Sequence, residues 1–467
     1  MLPVTVQMPL FSTMRATLKK QAKLGSVIMA AMLVLGLAAC LGLTEADKRY
    51  NNGVNLLEEG LLQEAIAEFD NAILLDESMA AAFHNRALAK ESTGRLSEAI
   101  DDYTRSIQLE PDLALAYANR GGAYNKLGEF QKALNDLNQA VILNDESASA
   151  YTGRGLALLN LGNFNDALTS LSQAIDLDPE FFPAYANRGI VHARLGKTQL
   201  AFADYDKAIE LNPGYGLVYR NRGLEYLAQG DPELAIADLD RHIELEPHLS
   251  SPYVNRGFAY AALGNLNSAV EDYSRAISID PTYLDAYINR GSAYDNLGRL
   301  EEAISNYATA LRLAPDSSAL YFNRGASYHA LGDLLKAETD FEKALTLDPG
   351  LAAAWYNLGV VHQDLGELGR ALNYYNQAIA IEPEDINFLV NRALVNSSLG
   401  NHSLAVADID RVVEINPTYA KGYLVRASAF AKLGLDSLSQ ADIDRAVALG
   451  VDRARAEMSI SEPTPSP

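Results

Sequence analysis

Apolar residues recur along this chain at helical spacing, and the pattern restarts every 34 residues from Ala46 to Arg453 without insertion or deletion. Residues 250–283, SSPYVNRGFAYAALGNLNSAVEDYSRAISIDPTY, and residues 284–317, LDAYINRGSAYDNLGRLEEAISNYATALRLAPDS, show it most plainly. Twelve copies begin at 46, 80, 114, 148, 182, 216, 250, 284, 318, 352, 386 and 420. With each copy numbered 1–34, the spacing predicts one helix over positions 1–14 and a second over about 16–30. Position 15 is Gly in all twelve, from Gly60 to Gly434, where a left-handed cap between two short helices calls for a residue without a Cβ. Position 32 is Pro in nine copies, where the second helix has to stop. Position 20 is Ala in eleven, and small residues at 8 and 20 let the two helices approach closely. Positions 4, 8 and 11 of the first helix fall on one face and positions 2, 6, 9 and 13 on the other.

The skeleton of residues 250–283 is Tyr253-x2-Arg256-Gly257-x2-Tyr260, then Gly264, Ala269-x3-Tyr273, Ala276 and Pro281. It resembles the tetratricopeptide repeat, W-x2-L-G-x2-Y followed by A-x3-F and Pro. The resemblance spans 408 of 467 residues. It implies an all-α fold, a right-handed superhelical solenoid of twelve 34-residue helix-turn-helix repeats over residues 46–453.

Position 6 is Asn in ten copies: Asn51, Asn85, Asn119, Asn187, Asn221, Asn255, Asn289, Asn323, Asn357 and Asn391. It lies on the face that does not pack, where a surface helix would favour Lys or Glu. The stacked asparagines form a ladder similar to the one lining the repeats of O-linked N-acetylglucosamine transferase. That resemblance implies that Asn85 to Asn391 grip the backbone of an extended peptide in a concave groove, since an amide both donates and accepts whatever the peptide's sequence. The alternative is that each asparagine bonds to the neighbouring repeat. Position 7 is Arg in ten copies, and position 23 is Asp in eight of those ten, as in Arg256 with Asp272 and Arg222 with Asp238. The copy at 352–385 has neither, carrying Leu358 and Tyr374, so the two positions are expected to pair. Positions 2, 5, 9, 12 and 13 vary, as in His84, Phe322, Tyr356, Arg194 and Asp295, which is how a uniform frame acquires specificity. A carboxylate clamp, with Lys at position 2 beside Asn at position 6, is not expected, because Lys421 shares its copy with Val425.

The formal net charge is −22, and loss of the four bases in residues 1–39 takes it to −26. That argues against nucleic acid as a partner, since phosphate binding needs basic neutralisation. The sole cysteine is Cys40. A basic stretch, RATLKKQAK at 15–23, precedes an apolar one, VIMAAMLVLGLAA at 27–39, as in a secretory signal peptide, with Met14 an alternative start to Met1. Leu37-Ala38-Ala39-Cys40 looks like the lipobox of bacterial lipoproteins. It implies that the chain is cut after residue 39, that the Cys40 thiol and the new amine are acylated, and that residues 40–45 tether the solenoid to a membrane. Leu41 after the cysteine resembles an outer-membrane address, on the periplasmic face.

Catalytic chemistry is not expected. Gly196-Lys197-Thr198 lacks the earlier glycine of a phosphate-binding loop, having Val191 there, and the seven histidines show no metal-ligand spacing. No cofactor or metal is called for. Residues 454–467 show no clear capping helix and end in a disordered tail, SEPTPSP, so the ends stay open to a partner or a second copy. The leading expectation is a non-enzymatic, lipid-anchored envelope scaffold that binds proteins or extended peptides. Its rivals are a self-assembling structural protein and an enzyme with an unrecognised site.

Overall fold

Each of the twelve position-15 glycines, Gly60 to Gly434, has φ between 69° and 85°. In eleven of them nothing lies within 4 Å of where a Cβ would stand. Backbone conformation, and not crowding, therefore requires glycine. The next residue donates its N–H back to the carbonyl of position 11, as in Arg95 to Lys90 and Glu367 to His362, at 2.9 and 2.8 Å. This is the capped helix end that the glycine spacing predicts.

The structure, a computed structural model, describes residues 43–461. The leader, Cys40 and the final residues of the tail lie outside the described residues. Helices follow the repeat register closely. First helices include Glu45–Glu58, Ala80–Ser92, Leu284–Asn296 and Ala420–Lys432; second helices include Leu62–Leu75, Leu96–Leu109, Leu300–Leu313 and Asp436–Ala448. The second helix starts at position 17, one residue later than expected, because position 16 completes the turn after the glycine. Among the described residues there is no strand.

The chain divides into two compact units, residues 1–247 and 248–467, each holding six repeats. Within each unit every first helix packs on its own second helix, which packs in turn on the next first helix. First helices also meet neighbouring first helices, and among the described residues no second helix packs to that extent on the next second helix. The first helices therefore crowd the inner side of each unit.

The core is one recurring contact. Position 24 carries a large side chain that is almost fully buried, such as Phe69, Leu137, Tyr205, Tyr273 and Tyr375. In nine repeats it lies over a glycine at position 8 of its own repeat. A Cβ on Gly189 would come within 2.5 Å of the Tyr205 ring, and one on Gly359 within 2.5 Å of the Tyr375 ring. Here glycine serves close approach, and the fully buried alanine at position 20, such as Ala201 or Ala371, completes the seam. Burying each such position-24 side chain contributes about 1.5–3 kcal/mol.

The arginine–aspartate pairs are present in all eight repeats that carry both residues. Nε and Nη2 of Arg86, Arg120, Arg188, Arg222, Arg256, Arg324, Arg392 and Arg426 donate to the two carboxylate oxygens at 2.5–3.0 Å. Where aspartate is missing, Arg154 donates to Ser170 at 2.8 Å and Arg290 to Asn306 at 2.9 Å. A further nitrogen, Nη1, reaches the second helix of the preceding repeat, as from Arg86 to Asp70 at 2.6 Å and from Arg426 to Asp410 at 2.6 Å. The guanidinium also lies over the aromatic ring one turn earlier, as Arg188 does over Tyr185. The arginine is thus a staple within and between repeats.

The carboxyl end differs from the open end expected. Arg453–Ser461 forms a nine-residue helix whose Ala456 is fully buried beside Ala427 and Ile443 of the last repeat. Arg453 pairs with Asp444 at 2.9 Å. Two and a half turns with a single buried alanine leave no periodicity to read in the sequence. At the other end Thr44 and Asp47 form a reciprocal capping box on the first helix.

Candidate peptide-binding face

On the inner side of each unit, position 6 of the first helix faces away from the second helix, and its asparagines meet different fates. Asn85 donates to the Tyr50 hydroxyl at 3.0 Å, and Asn391 to the Tyr356 hydroxyl at 2.6 Å. Asn119 lies 3.3 Å from Nε2 of His84. In each case the partner is position 5 of the preceding repeat. Three rungs of the expected ladder are therefore ties between repeats, the alternative that the sequence left open. Asn187 is only 1% exposed, too buried to meet a ligand, and among the described residues its Oδ1 has no hydrogen-bond partner. Asn221 accepts from its neighbour Arg220 at 3.3 Å.

Asn51, in the first repeat, is exposed, and the other four form a run. Asn255, Asn289, Asn323 and Asn357 are half-buried, and among the described residues their side-chain amides make no hydrogen bond. All four belong to the second unit, in consecutive repeats. The cause is local. Asn289, Asn323 and Asn357 would reach back to Val254, Ile288 and Phe322, none of which accepts a hydrogen bond. The ladder looks uniform when only position 6 is compared; the residue 35 positions earlier is the signal that divides it.

Apolar surface accompanies the first of the free amides. Phe258, three residues after Asn255 on the same face, is 55% exposed, and Ala326 and Val360 stand at the same register. The charges nearby are mostly satisfied: Asp295 accepts from Tyr307 and Ser327 at 2.8 and 2.7 Å, and Asp364 lies 2.8 Å from Nε2 of His329. Amide donors and acceptors beside apolar patches, with little unpaired charge, suit an extended neutral backbone better than a charged ligand.

Two buried histidines of the first unit are neutral for a physical reason. Burial pushes the His84 imidazole down to about 4, and burial with the nearby Arg220 charge does the same for His242. Both are neutral near pH 7. Among the described residues no group of His, Cys, Asp and Glu could hold a metal ion, and no helix is long and apolar enough to cross a membrane.

Tetratricopeptide repeat models match residues 92–128, 121–162, 152–216, 259–298, 294–332, 316–383 and 356–420. A search of curated proteins found no match. Similar solved structures include the Cut9–Hcn1 hetero-tetramer of the APC/C, 16% identical over 92% of this chain and 98% of that one, with a TM-score of 0.45. A tetratricopeptide repeat protein from Parabacteroides merdae is 22% identical over 53% of this chain and 98% of that one, with a TM-score of 0.46. MamA from Desulfovibrio magneticus is 22% identical over 36% of this chain and 96% of that one, with a TM-score of 0.35. Together the family matches cover residues 92–216 and 259–420, all inside the run of paired helices. This chain belongs to the tetratricopeptide repeat family.

Proposed function

We propose that this protein is a non-enzymatic scaffold that holds an extended segment of partner proteins against the inner face of residues 250–385. Tetratricopeptide repeats are protein-interaction modules, which supports the class of function. The observation that carries the reading is the run of four unengaged amides, Asn255, Asn289, Asn323 and Asn357, one per repeat, with exposed Phe258 beside the first. Fixed on helices, they need little further ordering to pair with peptide groups. The lipobox-like Leu37–Cys40 supports the second half of the proposal, a lipid-anchored protein on the periplasmic face of a bacterial outer membrane.

The test compares proteins recovered from membranes with the native chain and with a variant in which Asn255, Asn289, Asn323 and Asn357 are replaced by alanine. A second variant carries Asn85→Ala, Asn119→Ala and Asn391→Ala. The first should lose a partner and keep its melting temperature; the second should melt earlier and keep the partner. If the first variant melts early with its partners intact, the groove reading fails.

A further inference from the structure

The second helix presents position 19 outward. Eight repeats have a charged residue or serine there. The other four carry leucine in two adjacent pairs, Leu200 with Leu234 and Leu404 with Leu438, each with an exposed alanine three residues further on. These leucines are 51%, 51%, 56% and 47% exposed. Eight repeats fold without them, so packing does not account for them. The pairs stand at the same register in the last two repeats of each unit, 204 residues apart.

The two pairs differ in the basic residues that stand seven positions beyond each leucine, at position 26. In the first unit these are consumed within their own helices, Lys207 by Glu210 at 2.9 Å and Arg241 by Glu244 at 2.7 Å. In the second unit Arg411 makes no ion pair or hydrogen bond among the described residues, with Glu414 unpaired beside it, and Arg445 lies over the Tyr423 ring at 5.9 Å. Two guanidiniums without carboxylate partners therefore stand two turns beyond exposed leucines, in a chain of net charge −22.

We infer that Leu404, Ala407 and Arg411, with Leu438, Ala441 and Arg445 one repeat on, form an outward docking site for a short apolar segment of another protein ending in carboxylates. Leucines on the partner would cover Leu404 and Leu438, and its carboxylates would meet the guanidiniums, which favour planar bidentate partners. Six side chains are far fewer than the roughly 20–30 residues a side of a stable dimer, so the patch suits a peptide-sized element better than a second copy.

The test uses the full chain and two synthetic helical peptides, each with leucines along one face, one ending in glutamates and one in lysines. Binding is followed by fluorescence anisotropy. The glutamate peptide should bind at least about tenfold more tightly than the lysine peptide. Leu404→Gln with Leu438→Gln should weaken it about tenfold or more, and Arg411→Gln with Arg445→Gln should abolish the preference between peptides. Leu200→Gln with Leu234→Gln, and the four-asparagine groove variant, should change it by less than about twofold. Because the altered leucines and arginines are exposed, melting of those variants should be unchanged. Equal binding of the two peptides, no binding by the native chain, or equal loss in the Leu200 and Leu234 variant overturns the proposal. So does loss in the groove variant, or self-association of the native chain that the Leu404 and Leu438 changes abolish. The groove variant also separates this site from the proposed inner face, since either can fail alone.

Discussion

Arg222 grips both carboxylate oxygens of Asp238, Nε to Oδ2 at 2.8 Å and Nη2 to Oδ1 at 2.6 Å, while its Nη1 holds Asp206 of the preceding repeat at 2.5 Å. Asp238 is 5% exposed, so removing its partner strands a buried charge. Arg222→Leu should cost about 3 kcal/mol locally, seen as an earlier melting transition. The repeat with Leu358 and Tyr374 shows the apolar solution, so adding Asp238→Tyr should recover most of that loss. A double-mutant cycle with no recovery would sink the idea that the two solutions are interchangeable.

Gly359 and Gly366 are both glycine for different reasons, and alanine should separate them. At Gly359 the new Cβ meets the buried Tyr375 ring at 2.5 Å, a cost of about 1–2 kcal/mol. Ala87 facing Tyr103 in the second repeat shows that such a ring can step aside, which limits the loss. Tyr375→Ile should relieve it, as Ala393 with Ile409 does. At Gly366, φ is +77° with nothing nearby, so alanine costs about 1–2 kcal/mol that no neighbouring substitution relieves. Chemical denaturation of the single and relieved variants checks this.

His84 and His242 make stability fall on mild acidification. Each is pushed down to about 4 in the fold, burial being the main cause, against about 6.5 unfolded. The unfolded chain therefore binds protons first as pH drops. Their contribution is whole above about pH 6.5 and is lost progressively toward about pH 4, up to roughly 3 kcal/mol each. Melting temperatures between pH 7 and pH 5 should fall in the native chain and flatten with His242→Leu. A slope unchanged by that substitution would assign the loss elsewhere.

Tyr356→Phe should leave Asn391 without its acceptor and cost about 1 kcal/mol, whereas Phe322→Tyr should give the Asn357 amide a partner and take it out of the peptide face. Melting reads the first change and partner binding the second. If Phe322→Tyr leaves binding intact, Asn357 is not a rung of the groove.

Cys40→Ala should abolish incorporation of labelled palmitate and release the protein from the membrane fraction. Continued membrane retention without label would count against a lipid anchor.

The 34-residue period carried most of the fold. Gly60 to Gly434 ended the first helices where expected, and the joint loss at Leu358 and Tyr374 correctly joined Arg222 to Asp238. These features are legible because each is local, or is repeated often enough that one exception exposes the rule. The same period concealed where the repeats stop being alike. Asn391 and Asn357 occupy the same position, yet one donates to Tyr356 and the other is unengaged. An amide's partner is set by whatever side chain packing brings within about 3 Å, here a residue 35 positions earlier on another helix. The cap at Ala456 was hidden for the same reason: one small buried side chain has no pattern in sequence, only a surface to fit against. The order of residues was enough to specify the frame, because helix caps and packing seams depend on near neighbours. Which asparagines and arginines remain available to another molecule emerged only once the helices were packed, because availability depends on every neighbour in space.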